Sequence, residues 1–165
     1  MTAAGGDPGA LTYARHGGGR LHISRQTAAV LRQHVQDSRE KREAGGVLLG
    51  RHILHTADVV VDGVTIPLPG DQRERFRFVR ARQRHQEAID RAWRESGGTC
   101  TFLGEWHTHP ERHPWPSGVD RQDWLRKLRE DAFTDWLFFV IVGMEEIRVW
   151  EGARNGKAVF HLAQI

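Results

Sequence analysis

The stretch "TCTFLGEWHTHPERHPWPSGVDRQDWLRKLRED", Thr99 to Asp131, changes character twice. Thr99 to His109 reads as a strand. Pro110, Pro114 and Pro116 then break any regular element. Ser117 followed by Asp120 reads as a capped helix start, and the helix continues to about Asp131. The stretch is therefore strand, stiff loop, helix.

Outward from it, the other elements fall into place. Residues 1 to about 10 read as a flexible Gly-rich leader, and residues 1–19 hold that leader and the start of a hairpin. The hairpin spans "ALTYARHGGGRLHIS". Ser24 is a plausible N-cap for a helix over "RQTAAVLRQHVQDSREKRE", residues 25–43, with Val30, Leu31, Val35 and His34 on its inner side. "AGGVLLGRHI" and "TADVVVDGVTIPLP" read as strands. "VRARQRHQEAIDRAWRESGG" reads as a helix ending at Gly97 or Gly98, with Ala88, Ile89, Ala92 and Trp93 buried. "WLFFVIVG", "EIRVWEG" and "KAVFHLAQI" read as three closing strands. This order predicts one α/β (α+β) domain over residues 20–165, a mixed sheet with helices packed on it.

The chain has 165 residues, 39% of them apolar and 27% charged, a globular composition that one core can serve. Its single cysteine, Cys100, excludes an internal disulfide and suits a reducing compartment. Cys100 itself reads as a small buried residue. No signal peptide is visible, and the longest apolar run, Trp136 to Met144, is far below the roughly 20 residues that span a bilayer. The expected location is the cytoplasm, with no membrane partner. Net charge is +3 and the excess is arginine, 21 against 3 lysines. Six arginines cluster between Arg73 and Arg84. They could meet phosphates, but so mild a net charge favours a solvated basic side over a nucleic-acid face.

His107 and His109 lie two apart on a strand, so their side chains share a face and can converge on one ion. Imidazole suits zinc. Alone, His-x-His is a weak signal in a chain with ten histidines. A third ligand decides it. His113 sits between prolines and reads as an exposed loop residue. Asp120 enters near the start of the next helix, and Ser117 as N-cap would hold it rigidly. Two imidazoles and one carboxylate leave a fourth position open, the catalytic pattern. Such a site also needs a general base that is not a ligand. Glu43, at the edge of a glycine-framed strand, and Glu105, on the His107 face, are both candidates, and spacing does not choose between them.

These residues resemble the JAMM (MPN-domain) metallopeptidases, whose pattern is a distant Glu and then His-x-His-Pro-x(6)-Ser-x-x-Asp. Here it reads Glu43, His107-Thr108-His109-Pro110, six residues, and Ser117-Gly118-Val119-Asp120. The resemblance implies an MPN-type domain with a curved sheet. It implies one catalytic zinc held by His107, His109 and Asp120. Glu43 would take a proton from the attacking water and pass it to the leaving amine. Ser117 would hydrogen-bond the oxyanion, and Glu105 would be a neighbour of the ligands. The implied activity is hydrolysis of the amide bond after the tail of a ubiquitin-like modifier, in deconjugation or precursor maturation.

"GEWHTHPE", "PWPS" and the Phe78 to Gln86 stretch are similar to the small stand-alone bacterial JAB proteins of anti-phage operons. That implies a ubiquitin-like modifier and its conjugates as partners, with operon-encoded activating and conjugating enzymes. One branch serves ubiquitin-like (Bil-type) pathways. In another, type II CBASS, the modified protein is a cGAS-like nucleotidyltransferase. Two other readings stand beside these: a small-peptide zinc hydrolase, and a nucleic-acid-binding module of the same fold.

Overall fold

A computed structural model describes residues 8–165. Most of the expected leader lies outside the described residues. The first strands, β1 (Leu11–Ala14) and β2 (Arg20–Ile23), form the expected hairpin. Ser24 caps the helix that follows, α1 (Arg25–Arg32), by accepting a hydrogen bond from the Thr27 N–H at 3.2 Å. This helix is much shorter than expected. It stops at Arg32, and residues 33–44 run on without regular structure. Asp37 and Ser38 favour turns over helix interiors, and the buried side chain of Gln36 bonds to distant backbone carbonyls instead. His34 thus lies past the helix, half-buried, with its ring tilted against Trp106.

Next come β3 (Gly45–His52), β4 (Val59–Val64), β5 (Gln72–Glu74) and β6 (Arg77–Val79). β5 and β6 are a small separate hairpin turning at Arg75–Phe76. α2 (Arg82–Glu95) begins just after it. The expected buried side of α2 is only half-buried, and Trp93 is 51% exposed. The helix is anchored through its first turns instead. His85, fully buried, bonds Thr65 Oγ1 at 2.6 Å and Asp71 at 3.0 Å.

Then follow β7 (Thr101–Thr108), α3 (Gly118–Glu130), β8 (Trp136–Val142) and β9 (Ile147–Ala153). The expected last strand is split in two, β10 (Phe160–His161) and β11 (Ala163–Gln164). The nine-stranded mixed sheet has the order β10-β9-β8-β7-β3-β4-β2-β1-β11. β10 and β11, separated only by buried Leu162, therefore occupy opposite ends of that order. The sheet must curl until its ends meet. Across the seam Tyr13 donates its hydroxyl hydrogen to the Ile147 carbonyl, and Arg15 pairs with buried Glu151 at 2.9 Å.

β8 explains why its sequence is apolar at every position. Phe138, Val140 and Val142 face the main core with Leu21, Leu48 and Trp106. Leu137, Phe139 and Ile141 face a second cluster with Trp124 and Leu128 of α3. A strand buried on both faces reads as a continuous hydrophobic run. Its parallel neighbour β7 sits mid-sheet, between β3 and β8.

Gly104 lies in β7 with φ +147°, and a Cβ there would stand 1.8 Å from the Phe138 carbonyl oxygen. Neither backbone can yield, since both belong to the sheet. Gly104→Ala is expected to cost on the order of 3 kcal/mol, read from the urea midpoint. An unchanged midpoint would show that the β7–β8 pairing is looser than described.

Candidate metal centre

β7 brings His107 to the heart of the sheet, opposite Gly45 of β3 and Ile141 of β8. His109 follows just past the strand end, tied by its N–H to the Val142 carbonyl at 3.0 Å. The two Nε2 atoms converge to 3.0 Å. The Pro-rich loop turns the chain back, and Asp120 arrives in the first turn of α3. Its Oδ1 lies 3.4 Å from His107 Nε2 and its Oδ2 lies 3.2 Å from His109 Nε2. Ligands about 2.0–2.2 Å from a tetrahedral ion stand roughly 3.3 Å from one another. The three donors fit that spacing.

Each ligand is held from behind. Glu111 Oε1 lies 3.1 Å from His109 Nδ1. A carboxylate there takes the Nδ1 hydrogen and turns the Nε2 lone pair toward an ion. The sequence reading had passed over Glu111; its only signal was an acid two residues after a ligand histidine. His107, 9% exposed, has the Trp124 ring beside it, and Trp124 in turn stacks on Phe139. The Asp120 carboxylate accepts from the Ser117 N–H at 2.8 Å, while Ser117 Oγ accepts from the Asp120 N–H at 3.1 Å. This is the expected capping box. It leaves the exposed Ser117 hydroxyl hydrogen able to point outward. Burial disfavours the Asp120 charge, but hydrogen bonds from His107 and His109 outweigh it and hold the carboxyl well below its ordinary range. His113 takes no part: it is exposed and faces Glu146 at 2.9 Å.

The two candidate bases separate clearly. Glu105 is clamped by Lys127 Nζ at 2.6 and 2.7 Å and by Arg80 at 3.1 Å. Both of its oxygens are thus occupied by cationic donors. The carboxylate links α3, which carries Asp120, to β7. Glu105→Gln should cost about 1–2 kcal/mol, the pairs being partly exposed. A urea midpoint equal to wild type would show the clamp to be idle. Glu43 is 8% exposed, and among the described residues no cation pairs with it. Burial pushes its carboxyl up to about 7, against the pull of His107 and His109. That is the range of a working acid–base.

A three-donor cluster within electrostatic reach of a buried carboxylate of raised pKa is the layout of a metal-dependent hydrolase. The sequence profile described as "Prokaryotic homologs of the JAB domain" matches residues 24–152. The chain belongs to that family. It is 44% identical over 129 residues to a protein named "CD-NTase/cGAS isopeptidase" from Pseudomonas aeruginosa, covering 78% of this chain and 80% of that one. A Vibrio cholerae protein of the same name is 36% identical over 117 residues, covering 71% and 70%. A solved Desulfitobacterium hafniense structure shares the fold, with TM-score 0.58 and 23% identity over 84% of this chain and 87% of its own. Among the described residues, no helix is long and apolar enough to cross a membrane.

Proposed function

We propose that this protein is a zinc isopeptidase that cuts the amide bond joining a ubiquitin-like modifier's tail to an amine. The observation that carries the reading is the convergence of His107, His109 and Asp120, whose charges reach buried Glu43. A zinc ion bound there would act as a Lewis acid and make water acidic enough to attack at neutral pH. His107, His109 and Asp120 would hold it. Glu43 accepts the proton of the attacking water and returns it to the departing nitrogen. The Ser117 hydroxyl donates to the oxyanion formed on the scissile carbonyl.

The names of the relatives favour a cGAS-like nucleotidyltransferase as the protein from which the modifier is removed, as in type II CBASS. The nucleic-acid reading loses ground because Arg73 and Arg75 bond the chain's own carbonyls and Arg80 pairs with Glu105. The test uses purified, zinc-loaded protein with two substrates: a modifier–nucleotidyltransferase conjugate and a short peptide carrying the same tail. Cleavage of the conjugate that stops with a chelator is the expected result. Cleavage of the peptide alone would favour the small-peptide hydrolase. No cleavage of either by metal-loaded protein would overturn the assignment.

A further inference from the structure

A buried polar network behind the histidines is not used by the chemistry above. Thr108 lies between His107 and His109, fully buried. Its hydroxyl accepts from the Ala44 N–H at 2.9 Å and donates to Gln36 Oε1 at 2.7 Å. Gln36 is 1% exposed. Its Nε2 donates to the Arg75 carbonyl at 2.8 Å and to the Lys41 carbonyl at 3.3 Å. Both ends of the amide are occupied, as a buried amide requires. An apolar side chain would fill the space without that desolvation cost.

The partners share a neighbour. Ala44 follows Glu43 in the chain, and Lys41 precedes it by two residues. Arg75 begins the turn of the β5–β6 hairpin. From that hairpin Glu74 gives its carbonyl to the Glu43 N–H at 2.7 Å, and Arg73 Nε donates to the Glu43 carbonyl at 2.9 Å. Residues 33–44 lie in no helix or strand. Side-chain bonds therefore join the backbone bonds from Glu74 and Thr108 in setting the course of the chain at Glu43. Through Thr108 they tie that course to the strand bearing His107.

We propose that Gln36 is a positioning residue: it fixes the Glu43 carboxylate relative to the metal ligands by bonding Thr108, Lys41 and Arg75 at once. This rests on the reading of Glu43 as the proton acceptor. Gln36 touches no reacting atom. Displacing a reacting group by about 1 Å costs on the order of 100-fold in rate, so the network's effect should appear in kcat.

Gln36→Met should lower kcat on the order of 10- to 100-fold, with KM and zinc affinity, by chelator competition, as in wild type. Thr108→Val should act alike, and Thr108→Ser, which keeps the hydroxyl, should recover most of the rate. In a Glu43→Ala background Gln36→Met should have no further effect, since its route is already removed. Multiplying losses in the double variant, or zinc affinity falling in step with kcat, would make Gln36 general fold support and overturn the proposal. Amide exchange keeps the two readings separate. If the wild type cleaves no conjugate, the function fails, and exchange alone decides the placement. Faster exchange at the Glu43 and Ala44 amides in Gln36→Met, with His109 protected as before, upholds it; unchanged exchange at Glu43 sinks it.

Discussion

Glu43→Gln should abolish most cleavage, by about 100- to 10,000-fold in kcat, while the protein stays folded and keeps its metal. The amide matches the carboxylate in shape but accepts no proton at neutral pH. Nothing in the metal cluster is removed, because Glu43 is felt by His107, His109 and Asp120 only through its charge. Burial even disfavours that charge, so the neutral variant should fold at least as well. The wild type should lose activity on acidification, since proton acceptance needs the ionised form and burial has pushed the carboxyl up to about 7. A dication beside it pulls that midpoint back down. The acid limb should vanish in Glu43→Gln. A variant as fast as wild type, with matched zinc content, would remove Glu43 from the chemistry.

Asp120→Ala should cost the metal itself. Two histidines remain, and the only negative ligand of the cluster is gone. Zinc should no longer raise the melting temperature, because a site that binds the folded state stabilises it by mass action and a lost site cannot. The same substitution removes half of the capping box. About 1 kcal/mol of stability should disappear even without metal. Thermal melts with and without zinc separate the two losses. If zinc still raises the melting temperature of Asp120→Ala as it does in wild type, Asp120 is a helix cap and not a ligand.

The His107–His109–Asp120 cluster was legible because its residues obey local rules. A period of two puts His107 and His109 on one face, and a cap spacing of three sets Asp120 beside Ser117. What was not legible depends on chain crossings. Spacing did not separate Glu43 from Glu105; only the resemblance favoured Glu43, and the cations that engage Glu105 reach it from afar, Arg80 from the link between β6 and α2 and Lys127 from α3. The end of α1 was misjudged because Gln36 looks like an ordinary helix residue until Thr108 and Arg75 are placed around it. Trp93 invited burial by its size, yet α2 is held through His85 and Asp71. The run at β8 was read as a strand, but only α3 showed that both its faces are covered.

The seam between β1 and β9 also governs the order of assembly during synthesis. Every residue of the candidate metal cluster has been made by Asp120, but residues 160–165 are made later and contribute β10 and β11 at both ends of the sheet. Tyr13 meets Ile147 across 134 positions of chain. Such a closure pays its loop entropy late. A nascent chain would thus hold the candidate ligand residues in an open sheet with bare edges until residues 160–165 emerge.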